Sequence, residues 1–324
     1  MRVVFAGSAE VSADLLEALY LAPGVKLVGV VTQPDRPRGR SQKFGPCPCK
    51  IRAEGLGLGN VVFTPEKINA PESLEQIAKM KPDVLVVVAY GQFLGTKLLN
   101  LPPLGCVNIH YSLLPLLRGA APVQWALANG FAQTGVTAML MNEGMDSGDI
   151  LDTAVTQIAE KETSDTLFRR LNKMGASLLL RILPSLALGM IRRVPQNHTE
   201  ATFAPKLKKH DGFIAWDALS AADIERRIRA FNPWPGCHTD YTTHAGKHKK
   251  LKILAAEIRP GGDVKPGQIA NILPEGFVIQ CREGGLLLTS IQSEGKPVRT
   301  GEEFRNGRHD MKIGDWLAIK EPNA

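Results

Sequence analysis

The first 150 residues alternate short apolar runs with amphipathic stretches. The runs have the length and β-branched content of strands, which we predict at residues 2–5, 25–32, 83–89, 106–110 and 136–141. The amphipathic stretches predict helices at 12–21, with Ser12 as the N-cap, and at 163–188. This alternation is typical of strands joined by crossover helices, so we expect a Rossmann-like α/β domain: a mostly parallel sheet with helices on both faces.

One segment interrupts this pattern. Residues 33–50 contain four prolines and two glycines, and proline supplies no backbone N–H for a helix or a ladder. We therefore predict one long loop here, with neither helix nor strand. Loops of this length inside a compact domain are usually functional.

The pattern changes near residue 195. A helix is predicted at 221–230 and ends before Asn232-Pro-Trp-Pro-Gly236. Beyond it, short apolar runs at 251–255, 267–273, 276–281 and 286–291 are separated by turn residues. This spacing predicts a small, OB-like β-barrel. We accordingly divide the chain into a catalytic domain (1–190), a linker (191–207) and a C-terminal barrel domain (208–324).

Composition and charge narrow the class of protein. Hydrophobic residues are 44% and charged residues 22%, as in globular proteins, and no run approaches the roughly 20 apolar residues of a membrane span. We expect no signal peptide and no membrane partner. The net charge is +7; residues 206–324 carry 19 basic and 15 acidic residues, against 20 and 17 in residues 1–205. This C-terminal excess favours a polyanionic partner.

The cysteines predict the compartment. Five cysteines in 324 residues are unlike the dense, even sets of disulfide-stapled proteins, so we predict a reducing cytoplasm. Cys47-Pro-Cys49 is compatible with half of a metal site, and so is the group Cys237, His238, His244 and His248. No second cysteine pair follows at ligand spacing, and we predict no metal.

Asn108-Ile-His110 is the densest candidate for chemistry. Side chains two apart on a strand share a face, so Asn108 and His110 would project together at the carboxyl end of their strand, where open α/β sheets bind ligands. An amide beside an imidazole can stabilise an oxyanion. In a second segment, Gly144-Met-Asp146-Ser-Gly148, two glycines flank a carboxylate. Both segments could also be ordinary turns, but together they form the pattern of an active site.

These motifs resemble a known family. Asn108-Ile-His110, Ser112-Leu-Leu-Pro115 and Asp146 are similar to the signature of the folate-dependent formyltransferases. The resemblance implies 10-formyltetrahydrofolate as formyl donor and a catalytic trio of Asn108, His110 and Asp146, with Asp146 accepting a proton through water or His110. It places the folate beside two groups of residues: Ser112, Leu113, Leu114 and Pro115, and Val88, Ala89, Tyr90 and Gly91. Simple core packing remains an alternative for Leu113 and Leu114.

Three further segments resemble the family members that formylate initiator methionyl-tRNA: residues 33–40, 118–122 and 230–235. The resemblance implies that initiator methionyl-tRNA is the partner and that a C-terminal domain binds the RNA. We expect the protein to be a monomer. The basic residues implied as tRNA contacts are Arg36, Arg38, Arg40, Lys43, Lys206, Lys208, Lys209, Lys247, Lys249 and Lys250. A merely solvated basic loop is the alternative for the first four.

Two other functions remain open. A formyltransferase acting on a small amine would need neither the basic loop nor the C-terminal domain. A non-catalytic RNA-binding module would explain the charge but would leave Asn108, His110 and Asp146 unused.

Overall fold

The computed structural model describes residues 1–38, 43–242 and 248–317. The chain forms two compact units. Unit 1 comprises Met1–Pro122, Gln133–Gln157 and Phe168–Pro205, and unit 2 comprises Val123–Ala132, Ile158–Leu167 and Lys206–Ala324. Two short segments of the N-terminal half therefore pack with the C-terminal residues.

Unit 1 is built on a seven-stranded sheet. Its strands are β1 (Arg2–Gly7), β2 (Lys26–Val31), β5 (Val62–Phe63), β6 (Val84–Val88), β7 (Cys106–His110), β8 (Gln133–Leu140) and β9 (Ile150–Gln157). Their spatial order is β5-β2-β1-β6-β7-β8-β9. The first five in this order pair in parallel, and β8 and β9 add antiparallel strands at one edge. The prediction of a mostly parallel, Rossmann-like sheet is confirmed.

The middle of the sheet is its most buried part. Every residue of β6 is buried, as expected for a central parallel strand of valine and leucine. A core cluster on this strand gathers apolar side chains from β1, β2 and the segments that follow β5 and β6. This packing fixes the carboxyl ends of β6 and β7 beside each other.

The helices of unit 1 are α1 (Glu10–Tyr20), α2 (Pro48–Gly55), α3 (Pro71–Lys79), α4 (Thr96–Leu99) and most of α6 (Ser164–Ala187). The predicted cap of α1 is wrong: Ala9 is the N-cap. Ser12 lies inside the helix, fully buried, and its hydroxyl donates to the carbonyl of Val88 (2.6 Å). The Ser12 hydroxyl therefore provides a hydrogen bond to a carbonyl at the end of a strand, and not to an N–H at the start of a helix.

The prediction of an unstructured loop at 33–50 is also wrong. β3 (Arg36–Arg38) and β4 (Lys43–Gly45) pair as an antiparallel ribbon, and α2 begins at Pro48. Proline is tolerated on an edge strand and in the first turn of a helix, because neither position requires its N–H. The prolines are therefore compatible with these short strands and with the start of α2.

Unit 2 carries an antiparallel sheet. Its strands are β10 (Cys237–Thr242), β11 (His248–Arg259), β12 (Ile269–Leu273), β13 (Gly276–Gln280), β14 (Gly285–Ser293) and β15 (Val298–Thr300). They follow the order β10-β11-β14-β13-β12, with β15 on β14. The predicted C-terminal antiparallel β-domain is confirmed. Among the residues described, no pairing of β10 with β12 closes the sheet, so barrel closure stays a prediction.

Three helices accompany this sheet: α5 (Pro122–Ala128), α7 (Ala221–Phe231) and α8 (Gly301–Asn306). A capping box begins α7, where the Ser220 hydroxyl accepts from the Asp223 N–H and the Asp223 carboxylate accepts from the Ser220 N–H (both 3.1 Å). In the described ranges, no helix combines the length and apolarity that a bilayer crossing requires.

Candidate active site

Asn108 and His110 lie on β7 between β6 and β8. Asn108 pairs with Val87 and Met139, and His110 pairs with Thr137. Asn108 is partly exposed, whereas His110 is 6% exposed. The side chain of Asn108 makes no hydrogen bond to any residue in the described part of the chain. Its amide is therefore available to a ligand.

Each nitrogen of the His110 ring faces a different oxygen. Nε2 lies 3.0 Å from the carbonyl oxygen of Leu117, and Nδ1 lies 3.6 Å from Oδ2 of Asp146. A carbonyl oxygen can only accept, so Nε2 carries the proton. The 3.6 Å separation is too long for a hydrogen bond but suits an ion pair when the imidazole is protonated. Leu117, more than Asp146, fixes the orientation of the ring.

Asp146 occupies a strained backbone position. Its φ is +46°, in the left-handed region that non-glycine residues rarely adopt. Its Oδ2 accepts the Gly119 N–H at 2.7 Å, and its side chain is 16% exposed. A Cβ at Gly148 would lie 1.7 Å from the Leu140 carbonyl oxygen, so only glycine fits there. Gly148, one of the two glycines that flank Asp146, thus allows the loop to approach β8 closely.

A cleft of about 490 Å³ opens beside Asn108 and Asp146. Its other lining residues come from the end of β6 and the segment after it, and from the end of β8 and the loop after it: Val87, Ala89, Tyr90, Gly91, Gln92, Phe93, Leu94, Met139, Met141, Asn142, Glu143, Gly144 and Met145. This size is typical of a site for a drug-sized ligand. The cleft therefore lies at the strand ends where open α/β sheets bind their ligands.

The turn after β6 is held by polar contacts. The Tyr90 carbonyl accepts from the Gln33 side-chain amide (3.1 Å) and the Ser8 hydroxyl (3.3 Å), and Ala89 has a φ of +43°. The Tyr90 hydroxyl is buried and has no hydrogen-bond partner among the described residues. Burial raises the pKa of this phenol above its usual range, so it stays neutral.

The structure divides the predicted folate residues into two groups. Ala89, Tyr90 and Gly91 line the cleft, whereas Val88 is fully buried behind it. In the described structure the segment 112–115 does not line this cleft. Ser112 is buried, and its hydroxyl donates to Leu116 O (2.6 Å) while its carbonyl accepts from the Thr137 hydroxyl (2.7 Å).

The predicted tRNA residues fall in three places. Arg36 is exposed and pairs with Glu66 at 2.6 Å. Arg38 and Lys43 are partners in the backbone register of the β3–β4 ribbon, while Arg40 and Lys247 lie outside the described residues. The remaining five belong to unit 2: Lys206, Lys208, Lys209, Lys249 and Lys250. All are exposed except Lys249, which is half-buried.

Two further polar residues support the site: Gln196, which the sequence did not indicate, and Arg118, which belongs to the family-like segment 118–122 but had no predicted role. Gln196 is 6% exposed, and its amide nitrogen donates to the carbonyl oxygens of Asp146 (2.9 Å) and Gly148 (2.7 Å). Arg118 is 5% exposed and donates to the Gln196 side-chain oxygen through Nε (3.1 Å) and Nη2 (2.6 Å). Gln196 follows Asp146 by 50 residues, so no local pattern could have indicated it.

The sequence matches two family models. The Formyl transferase model covers residues 1–183, and the Formyl transferase, C-terminal domain model covers residues 206–309. A methionyl-tRNA formyltransferase from Desulforamulus reducens is 40% identical over 322 residues, covering 99% of this chain and 98% of the relative. A methionyl-tRNA formyltransferase from Marinobacter nauticus is 42% identical over 307 residues, covering 95% of this chain and 96% of the relative.

Solved structures share the fold. An N-formyltransferase from Helicobacter canadensis, in complex with folinic acid and dTDP-3-aminofucose, aligns with a TM-score of 0.61 at 15% identity, covering 88% of this chain and 98% of that one. HypX from Aquifex aeolicus, in complex with tetrahydrofolic acid, aligns with a TM-score of 0.58 at 16% identity. This alignment covers 99% of this chain and 51% of HypX. With the full-length sequence matches, these results show that the chain belongs to the methionyl-tRNA formyltransferase family.

Proposed function

We propose that this protein transfers the formyl group of 10-formyltetrahydrofolate to the amino group of initiator methionyl-tRNA, giving N-formylmethionyl-tRNA for translation initiation. The observation that carries the proposal is that Asn108 and Asp146 line one cleft and that His110 Nδ1 lies 3.6 Å from Oδ2 of Asp146. The names of relatives about 40% identical over the whole chain support the same activity. The alternative of a non-catalytic RNA-binding module leaves this arrangement without a role.

In the proposed mechanism the methionyl amine attacks the formyl carbon while uncharged. His110 Nδ1, or a water held by Asp146, takes the amine proton as the new C–N bond forms. The Asn108 amide donates to the formyl oxygen as it gains negative charge. When the bond between the formyl carbon and the folate nitrogen breaks, that nitrogen takes up a proton. Asp146, 3.6 Å from Nδ1, stabilises the imidazolium in between.

We further propose that the cleft holds the folate. Its volume of about 490 Å³ and its lining by Ala89, Tyr90 and Gly91 suit a flat heterocycle. None of these steps needs a metal. Equilibrium dialysis of 10-formyltetrahydrofolate tests the site; unchanged affinity after Gly91→Val would contradict it.

For the tRNA we propose a phosphate-binding surface on unit 2. A second cavity has a volume of about 190 Å³. Four basic residues line it, Lys249, Lys296, Arg299 and Arg308, and its lining includes a single acidic residue, Glu294. Each phosphate contact adds about one to the slope of log affinity against log salt. Lys249→Ala and Arg299→Ala should therefore flatten the slope, whereas Lys312→Ala, an exposed lysine outside this cavity, should not. Equal slopes for all variants would contradict this surface.

The substrate is tested by competition. Wild-type protein is given labelled 10-formyltetrahydrofolate with initiator methionyl-tRNA and, separately, with free methionine or an amino sugar. The proposal predicts label on methionyl-tRNA alone, and preferred transfer to the small amine would overturn it.

We also propose a monomer in a reducing cytoplasm, since the trio comes from one chain and all five cysteines are buried free thiols. Light scattering that gives the mass of two chains would contradict the monomer.

A further inference from the structure

We propose that residues 194–204, here called the strap, position His110 and Asp146 for the reaction. The strap lies within the predicted linker, to which sequence analysis gave no part in catalysis. The inference rests on the proposed function, because the catalytic roles of His110 and Asp146 are assigned there.

Both ends of the strap are fastened to the loops of the site. At one end Val194 and Ile150 exchange backbone hydrogen bonds (2.8 and 2.9 Å), next to the Asp146 loop. At the other end the Arg118 N–H donates to Thr202 O (2.9 Å) and the Ala204 N–H donates to Arg118 O (2.7 Å). The strap therefore spans the two loops that carry Asp146 and Leu117.

Gln196 is the contact to Asp146. Its amide nitrogen donates to two carbonyl oxygens of the loop, those of Asp146 and Gly148. These two bonds fix the backbone on both sides of Ser147, where Asp146 holds a φ of +46°. A strained conformation persists only where surrounding contacts determine it, and Gln196 supplies two of them.

Arg118 fixes Gln196 in turn. Nε and Nη2 of its planar guanidinium both donate to the Gln196 side-chain oxygen. The Gln196 amide nitrogen therefore faces the Asp146 loop. Nη2 also donates to Nδ1 of His198 (3.0 Å), another residue of the strap. Arg118 has no carboxylate partner in the ranges described. Its contacts thus serve to orient neutral side chains, and one amide flip of Gln196 would break four hydrogen bonds.

Thr202 is the contact to His110. Its hydroxyl accepts the Leu117 N–H at 2.9 Å, and Leu117, with a φ of +58°, presents its carbonyl to Nε2 of His110. The chain Thr202–Leu117–His110 sets the plane and the tautomer of the imidazole. The strap therefore contacts the backbone of Asp146 directly and reaches His110 through Leu117.

Three variants test this positioning. Gln196→Glu keeps an acceptor for Arg118 but removes both donations to the Asp146 loop. Thr202→Val removes the hydroxyl at constant shape, and Thr202→Ser restores it. Gln157→Glu, an exposed glutamine on β9, is the matched control. Steady-state kinetics, thermal unfolding and the amide signal of Gly119 in ¹⁵N-glycine-labelled protein are measured for each, because that N–H bonds Asp146 directly.

We expect kcat to fall on the order of 10- to 100-fold in Gln196→Glu and Thr202→Val, since displacements of about 1 Å cost this much. KM for both substrates should stay within about twofold of wild type. The Gly119 signal should shift in Gln196→Glu, and Thr202→Ser and Gln157→Glu should behave as wild type. Normal kcat in both folded strap variants would overturn the inference, as would a loss that merely follows the unfolded fraction.

Asp146→Asn separates this inference from the proposed function. If Asp146→Asn loses turnover while the strap variants keep theirs, only the positioning by the strap is refuted. If Asp146→Asn retains full turnover, the proposed role of Asp146 is refuted, and the positioning inference is refuted with it.

Discussion

His110 donates a hydrogen bond from Nε2 to the carbonyl oxygen of Leu117 across 3.0 Å. This bond leaves the lone pair of the neutral ring on Nδ1, the nitrogen that faces Asp146. Proton uptake at Nδ1 then produces an imidazolium directly beside a carboxylate. In the proposed mechanism this pair accepts a proton during amine attack and stabilises the resulting charge.

This arrangement predicts the tautomer of the free enzyme. In ¹⁵N-histidine-labelled protein whose His110 ring is neutral, Nε2 should show a protonated resonance and Nδ1 an unprotonated one. Leu117 holds this state through its main chain, so Leu117→Ala should preserve it. A ring protonated on Nδ1 would contradict the assigned geometry and would make Asp146 the group that orients the imidazole.

Asn108→Ala tests the oxyanion donor. Removing one such donor typically slows turnover on the order of 10²–10³-fold. The fold should tolerate the change, because the Asn108 side chain makes no hydrogen bond within the described residues. Formylation kinetics and urea unfolding measure the two effects, with Asn129→Ala as an exposed control. Near-wild-type turnover of Asn108→Ala would remove the role assigned to this amide.

Much of this site follows from local sequence. The apolar run 83–89 and the segment 106–110 identify central strands, and period-two spacing links Asn108 to His110. The glycines at 144 and 148 indicate a tight loop around Asp146. Each of these inferences depends on neighbouring residues, where backbone sterics and hydrophobic periodicity act directly.

The remaining features depend on distant contacts. Serine is a residue type that often caps helices, but the Ser12 hydroxyl donates to the carbonyl of Val88 at the end of β6, 76 residues away. Gln196 and Thr202 reach the site across 50 and 85 residues. The strands Arg36–Arg38 and Lys43–Gly45 pair although the prolines of this region favour a loop, because edge strands tolerate proline. Hydrogen bonds made after folding leave no periodic pattern in the chain.

Gly148→Ala should damage both stability and activity. The new Cβ would lie 1.7 Å from Leu140 O, so the Asp146 loop must move away from β8. We expect a loss of at least about 1–3 kcal/mol in the free energy of unfolding, together with loss of turnover. Gly55→Ala, where nothing lies within 4 Å of the added Cβ, is the control. Wild-type unfolding of Gly148→Ala in urea would refute this packing.

The buried thiols predict how stability depends on pH. Burial raises the pKa of Cys49, Cys106, Cys237 and Cys281 to about 12. The folded state thus holds protons that the unfolded chain loses from about pH 9, so stability falls as pH rises from 9 towards 12. Below pH 9 these thiols are neutral and unreactive. Mass spectrometry after native iodoacetamide treatment at pH 8 should find them unmodified, and rapid alkylation would contradict their burial.

Transfer of labelled formyl from 10-formyltetrahydrofolate to initiator methionyl-tRNA, by wild-type protein and by Asp146→Asn, tests the central claim most directly. The account predicts label on the methionyl amino group with wild type. It predicts transfer slower by on the order of 10²-fold or more with the folded variant, which can no longer support proton removal. Absence of label with wild type, or equal rates for the two proteins, would contradict it.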